Sequence, residues 1–195
     1  MTRDLGRIAK MVLFGAAALI QAGSVAAMVI DRAGILRSGT DVMLHARPVD
    51  PRDFLRGDYV ALAYDISNVG AGTLKNQSAR RGTTVYVKLF PDREGFYQSI
   101  SAYSEPIAVT SPEVLIRGRV IGGDSCGRND GTLCGGLQVH YNIERYFVPE
   151  GEGPNLESAR NQGKLAVAVA VAPDGRAAIR RLLIDGMPVY EEPWF

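Results

Sequence analysis

The segment KLAVAVAVAPDGRAAIRRLLIDG, residues 164–186, contains two apolar runs separated by Pro173-Asp174-Gly175. These three residue types are typical of a tight turn, so the segment is predicted to form a β-hairpin. Alternation places Val167, Val169 and Val171 on one face of the first strand, and the alanines between them allow another layer to pack closely on the opposite face. The hairpin therefore indicates that the end of the chain belongs to a layered β structure.

The second strand of this hairpin carries two adjacent cations, Arg180 and Arg181. Strict alternation along a strand predicts that their side chains lie on opposite faces of the sheet. Because a buried arginine needs a partner, at least one of the two is expected to face solvent or an acidic group.

Upstream segments show the same period of two, or the turn residues that bound strands. Strands are predicted over residues 41–49, 58–66, 83–90, 95–103, 114–121, 137–143 and 145–148. A polar, glycine-containing loop is predicted over residues 67–82, and a short helix over residues 154–162, with Pro154 in its first turn and Gly163 at its end. Together these segments predict a mainly β domain, an antiparallel β-sandwich or barrel-like fold with one short helix.

An uncharged apolar run, MVLFGAAALIQAGSVAAMVI, occupies residues 11–30. At about 1.5 Å per residue it matches a hydrocarbon core roughly 30 Å thick, so it is predicted to be a single transmembrane anchor in contact with membrane lipid. Residues 1–10 form a basic flank, which predicts a cytoplasmic N-terminus and places residues 31–195 on the periplasmic side of the inner membrane. This exported part is expected to form one domain, or two packed subdomains divided near residues 122–136.

Two other interpretations of the apolar run stay open. A cleavable signal peptide would use Val25-Ala26-Ala27 as its small-residue site, but the apolar part of such a peptide is usually shorter, about 7–15 residues. A buried core helix is the second alternative, although an uncharged run of this length is uncommon in a small soluble domain. We favour a retained anchor.

The exported part has a balanced charge. Beyond residue 30 the chain has 19 basic and 20 acidic residues, a formal net charge of −1. Because nucleic-acid-binding domains usually carry a basic excess, no nucleic-acid partner is predicted. The sequence also lacks a phosphate-binding P-loop and a dinucleotide fingerprint, so no cofactor is predicted.

The chain has two cysteines, Cys126 and Cys134, in the loop GGDSCGRNDGTLCGG. In an oxidising compartment a pair this close predicts a loop-closing disulfide. Free thiols are the alternative. A metal site is not predicted, since neither His45 nor His140 has the spacing of a zinc ligand.

Residues 57–64 read GDYVALAY, and the chain resembles the bacterial family named after its GDYxxLxY motif. The residues that match the five named letters are Gly57, Asp58, Tyr59, Leu62 and Tyr64. The lead-in over residues 48–56, the segment YFVPEGEG at 146–153 and the closing hairpin also look like this family. The resemblance covers nearly the whole chain and implies a membrane-anchored protein with a multi-span membrane partner. It implies no reaction, and the cysteine loop has no counterpart in the family pattern.

The motif has a structural interpretation. Gly57 permits a backbone conformation that other residues avoid, just before the strand begins. Asp58 can accept hydrogen bonds from nearby backbone amides, or pair with Arg56 or Arg52. Strict alternation then places Leu62 and Tyr64 in the core. On this interpretation the motif is a turn followed by a core strand.

A binding groove is the alternative interpretation of the motif. The residues that would build it are Arg56, Asp58, Tyr59 and Tyr64. Tyr59 is predicted to lie on the second face of the strand, or to line a cleft. Further along, Glu150 lies in a glycine-containing loop and is either solvated or paired with an arginine near the motif, Arg52 or Arg56, which would join the two halves of the domain.

A hydrolase similar to the signal peptidases is the enzymatic alternative. Those enzymes use a Ser–Lys dyad, in which burial lowers the pKa of the lysine so that it acts as a base. Lys88 lies on a predicted strand, but no serine lies between Thr40 and Gly57, where the nucleophile would stand, so no catalytic residue is predicted. We therefore expect a non-catalytic, membrane-anchored accessory or binding module. A hydrolase, or a module that binds a small molecule or an envelope polymer, are the alternatives.

Overall fold

The computed structural model describes residues 2–47, 59–70, 74, 79–125, 131–148 and 153–193. These residues form a long N-terminal helix, a mainly β body and one short helix. The helices are α1 (Thr2–Ser38) and α2 (Gly153–Asn161). The strands are β1 (Thr40–Arg47), β2 (Tyr59–Ala61), β3 (Ala63–Tyr64), β4 (Asn68–Val69), β5 (Ala79–Arg80), β6 (Thr84–Pro91), β7 (Tyr97–Tyr103), β8 (Val114–Ser125), β9 (Thr132–His140), β10 (Arg145–Phe147), β11 (Leu165–Val171), β12 (Ala177–Ile184) and β13 (Met187–Glu191).

Two antiparallel sheets form the β body. One has the strand order β13-β12-β11-β1-β3, and the other has the order β4-β9-β8-β6-β7, with β5 also paired to β9. A two-stranded ladder joins β2 to β10. Apolar side chains from both sheets share one core, which includes Leu44 and Val167 from the first sheet and Val87 and Ile116 from the second. The predicted mainly β, antiparallel fold with one short helix is therefore confirmed.

The hairpin predicted over residues 164–186 is formed by β11 and β12. Its turn is fixed by Gly175, whose φ of 83° few other residues adopt, and by the Asp174 carboxylate, which accepts a hydrogen bond from the Arg176 amide at 3.0 Å. The same turn reaches the second sheet, because the Arg117 amide of β8 donates to the Gly175 carbonyl at 2.7 Å. The turn therefore links the two sheets at one end of the body.

The structure corrects the prediction for the two adjacent arginines. Ala168 pairs with Arg181 and Val169 pairs with Ile179, so Arg180 is an extra residue that forms a β-bulge. The bulge shifts the alternation, and both arginines form ion pairs with the Asp41 carboxylate of β1. The prediction that they lie on opposite faces is therefore wrong.

The strand predicted over residues 58–66 is divided. β2 pairs with β10, while β3 pairs with β1, and a short 3₁₀ helix (Asp65–Ser67) follows. The predicted alternation nevertheless holds, because the side chains of Val60, Leu62, Tyr64 and Ile66 are all buried. Within the region predicted as a loop, β4 and β5 both pair with β9.

The cysteine loop connects β8 to β9. Cys126 lies outside the described residues, and only the backbone of Cys134 is described, so the disulfide stays a prediction. The predicted division near residues 122–136 falls within this hairpin, whose two strands pair with each other.

Helix α1 continues well beyond the predicted anchor, to Ser38. Its segment Lys10–Ser38 is long and apolar enough to cross a membrane, and no residue of its most apolar stretch is buried against the β body. The β body therefore begins directly at the end of this helix.

Candidate functional site

The structure describes only part of the predicted motif site. Arg56, Gly57, Asp58 and Glu150 lie outside the described residues, and only the backbone of Tyr59 is described, in β2. The remaining two motif residues, Leu62 and Tyr64, are buried in the core, as alternation predicts.

Two buried tyrosines connect the motif strand to the segment before β10. The Tyr64 hydroxyl donates to the Ile143 carbonyl at 2.6 Å, and the Tyr141 hydroxyl donates to the Ile66 carbonyl at 2.7 Å. Each tyrosine thus binds the backbone of the other's segment. Burial, and secondarily the nearby Glu144 carboxylate, raise the pKa of both hydroxyls well above the ordinary value, so both stay protonated donors at neutral pH. We call Tyr64, Tyr141 and their two acceptor carbonyls the tyrosine lock.

Backbone polar groups between β2 and β3 form hydrogen bonds with residues close to the tyrosine lock. The Leu62 amide donates to the Glu144 carbonyl at 2.9 Å, and the Glu144 side chain accepts from the Tyr141 amide at 2.6 Å. From α2, the fully buried Arg160 donates to the Ala61 carbonyl at 2.6 Å. This charged donor therefore provides a hydrogen bond to a backbone carbonyl next to the motif residue Leu62.

These contacts favour the structural interpretation of the motif. Tyr64 has no exposed surface and its hydroxyl is engaged, so it does not line a groove that is open to solvent. The roles of Arg56, Asp58 and the Tyr59 side chain stay predictions. The described part of the motif holds two segments of the core together.

Lys88 lacks the environment of a catalytic base. Its ammonium lies 2.7 Å from the Glu113 carboxylate, and this hydrogen bond raises the pKa of Lys88. A lysine base needs a lowered pKa, because it must be unprotonated to accept a proton. Ser101 lies across the ladder from Lys88, but its hydroxyl is hydrogen-bonded to the Tyr103 hydroxyl at 3.2 Å. This pair therefore gives no support to a Ser–Lys dyad.

A cleft of about 440 Å³ opens where α1 meets the β body. Its walls come from the end of α1, the start of β1, the β7–β8 connection and the β11–β12 turn. They include Ser38, Ile107, Pro112, Glu113 and Asp174. Both carboxylates are already paired, Glu113 with Lys88 and Asp174 with Arg176. The volume suits a small ligand, and the paired charges favour an uncharged or weakly polar one.

Helix α1 is joined to the first sheet by a single residue, Gly39. The helix ends with a hydrogen bond from the Gly39 amide to the Ile35 carbonyl at 2.9 Å, and β1 begins at Thr40. Close approach requires glycine here, since a Cβ would lie 2.6 Å from the Ile35 carbonyl oxygen. Ile35 and Leu36 are buried against Ala170, Ala172 and Ala178, so the end of α1 is the layer that packs on the alanine face of the hairpin.

Ion pairs surround this contact. On one side Arg176 binds both Asp31 of α1 and Asp174, and these hydrogen bonds raise the pKa of the guanidinium. On the other side Arg32 lies 3.3 Å from Glu192. Between them, the Arg180 guanidinium bonds the Leu36 carbonyl at the helix end and the Asp41 carboxylate. We call this set of contacts, together with Gly39, the anchor junction.

A family model for the GDYXXLXY protein matches residues 21–182 of the 195-residue chain. The chain belongs to the GDYXXLXY family. No curated protein and no solved structure matches the chain. The matched span of this family member includes the tyrosine lock and every residue of the anchor junction except Glu192.

Sequence reasoning missed several residues that build these two features. Tyr141, Glu144 and Arg160 lie in segments where no pattern marked them, and their partners are backbone atoms distant in sequence. At the anchor junction, the alanine face of β11 indicated that another layer packs closely on it, but it did not identify α1 as that layer. Asp31 and Arg32, which directly follow the apolar run, could have indicated that the end of α1 forms ion pairs.

Proposed function

We propose that this GDYXXLXY protein is a membrane-anchored, non-catalytic accessory protein of the bacterial envelope, whose exported β domain is a binding module for a multi-span membrane protein. The anchor junction is the observation that carries this proposal. It holds the domain to α1 through a one-residue connection, a buried apolar contact and several ion pairs.

A fixed junction suits an accessory role because it sets the height and the orientation of the domain over the membrane. A domain that only needs to stay near the membrane is served by a flexible linker, which ranges over several nanometres. A domain that must meet a second membrane protein in one geometry loses less entropy on binding when it is held in place beforehand. The contacts of Arg180 with the helix end and with β1 have this effect.

The proposed location is the inner membrane, with the N-terminus in the cytoplasm and the domain in the periplasm. The cations Arg3, Arg7 and Lys10 before the span support this orientation, because basic flanks are retained on the cytoplasmic side. The periplasm is oxidising, so this location also supports the proposed Cys126–Cys134 disulfide.

The test is purification of the full chain from membranes in mild detergent, followed by intact mass and protein composition. The proposal expects residues 1–30 to be retained and a multi-span protein to be present in a fixed ratio. A six-residue glycine–serine insertion between Ser38 and Gly39 should lower that ratio while the domain stays folded. The same insertion in the exposed β12–β13 turn, between Asp185 and Gly186, is the matched control and should leave the ratio unchanged.

Two results would overturn this proposal. The first is a native chain that purifies alone, without a partner in fixed ratio. The second is a junction insertion that keeps the full amount of partner, because then the geometry at Gly39 has no part in binding.

The cleft favours a second candidate function, a module that binds a small molecule. Native mass spectrometry of the purified protein would detect a ligand that survives extraction. Substitution of the cleft residue Ala108 by Trp should abolish such a mass shift without unfolding the domain. A mass equal to that of the bare chain in both proteins would remove this candidate.

A further inference from the structure

Gln21 lies at the middle of the apolar run, in a position that hydrocarbon surrounds if α1 spans the membrane. It is the one residue with a side-chain amide between residues 11 and 30. In the described part of the chain, the Gln21 amide has no hydrogen-bond partner, whereas the Ser24 hydroxyl is satisfied by the Gln21 backbone carbonyl at 2.8 Å. An amide without a partner in hydrocarbon is unfavourable, so a polar side chain at this depth indicates a function.

The face of α1 that carries Gln21 continues into the anchor junction. Residues spaced by seven lie about two turns apart on nearly the same side of a helix, and Phe14, Gln21, Met28 and Ile35 have this spacing. Ile35 is buried against the β body. The Gln21 face and the β domain therefore lie on the same side of α1.

Three of the four residues one helical turn from Gln21 are small, and the fourth is Val25. Ala17, Ala18 and Ser24 lie one turn away on either side, at helix positions i−4, i−3 and i+3. Small side chains allow a second helix to approach closely, and a central amide can then bond a polar group across the contact.

The position of the domain decides between a partner and a second copy of this chain. In a symmetric pair each Gln21 face would lie against the other, and each domain would overlie the neighbouring helix, because both domains lie on the contact side. Two rigidly held domains would then occupy the same space above the helices. A partner helix that ends at the membrane surface has no such conflict and would fit beneath the domain.

We infer that the Gln21 face of α1 binds one transmembrane helix of the membrane partner, directly beneath the β domain. The proposal rests on the accessory function above and adds the surface and the chemistry of contact. The partner helix carries a hydrogen-bonding side chain at mid-membrane depth, where it pairs with the Gln21 amide.

Site-specific photocrosslinking in intact membranes tests the surface. A photoreactive amino acid at Ala17 lies on the Gln21 face, and one at Leu19 lies on the opposite side of the helix as the matched control. The expected result is an adduct at position 17 with the same multi-span protein that co-purifies, mapped to one of its transmembrane segments, and no such adduct at position 19. An adduct with a second copy of this chain, an adduct with lipid only, or equal adducts at both positions would overturn the inference.

Gln21→Leu tests the chemistry in the full chain. It should insert into the membrane as well as the native protein and lower the affinity for the partner about threefold to tenfold, as loss of one intramembrane hydrogen bond does. Gln21→Asn keeps the amide and should retain more of the binding than Gln21→Leu. If the native chain and Gln21→Leu bind the partner equally, this inference fails while the accessory function stands; if no partner co-purifies with the native chain, the accessory function itself fails.

Discussion

Substitution of Tyr64 by Phe isolates one hydrogen bond of the tyrosine lock. The ring stays and continues to fill the core, but the Ile143 carbonyl loses its donor. Tyr64 is 0% exposed and Ile143 is 1% exposed, so water does not readily replace the lost hydroxyl. The variant therefore measures the cost of leaving a buried carbonyl without a partner.

The expected magnitude follows from that burial. An unsatisfied buried polar group costs about 1–3 kcal/mol of unfolding free energy. In a chain of this size each kcal/mol lowers the melting temperature by about 2–4 °C, so a decrease of about 2–12 °C is expected. Tyr141→Phe removes the reciprocal bond to Ile66 and should have a similar effect.

The assay is thermal and guanidinium unfolding of the full chain in detergent, followed by circular dichroism. Tyr190→Phe is the matched control, because the Tyr190 hydroxyl is buried without a hydrogen-bond partner among the described residues. Its removal should cause no loss of stability. The reasoning is refuted if Tyr64→Phe and Tyr190→Phe unfold at the same temperature, since the bond to Ile143 would then contribute nothing.

Three further predictions concern other parts of the molecule. The lock tyrosines have raised pKa values in the folded state, so they stay protonated at a pH where tyrosines of the unfolded chain ionise. The unfolding free energy should therefore fall as the pH rises above about 10. A variant with Phe at both positions should show a shallower fall across that range. Gly118→Ala should destabilise the second sheet by about 1–3 kcal/mol, measured by thermal unfolding, because its Cβ would lie 2.9 Å from the His140 carbonyl oxygen. Lys88→Met should leave the amount of co-purified partner unchanged, and loss of the partner would give Lys88 a role beyond its pairing with Glu113.

Local patterns were sufficient to predict most of the strands and the short helix. The β11–β12 hairpin is set by its own turn residues, since Asp174 and Gly175 fix the turn without help from distant segments. Likewise, α2 ends at Asn161, close to the predicted stop at Gly163, and Gly163 has a φ of 71°. These features depend on neighbours in sequence, which a single sequence displays.

Features that depend on distant partners could not be predicted. The bulge at Arg180 adds one residue to β12, and its arginines bind Asp41 of a strand far away in sequence. The division of residues 58–66 arises because β10 and β1 take different parts of that segment. Apolar alternation still identified the buried side chains there, because burial depends on the layer and not on which strand is the neighbour.

The two motif residues with described side chains have structural roles, so a binding surface is to be sought elsewhere on the molecule. Leu62 and Tyr64 lie in the core, so these two letters of the signature report how the domain is built. A partner binds to the protein surface, and the surface proposed above is the Gln21 face of α1, which the anchor junction connects to the β domain. The family match runs from residue 21, within α1, to residue 182, so it includes the lock and all of the junction except Glu192. Binding that depended on the β domain alone would survive a flexible insertion at Gly39, whereas binding that depends on both features requires the helix and the domain to stay in one fixed arrangement.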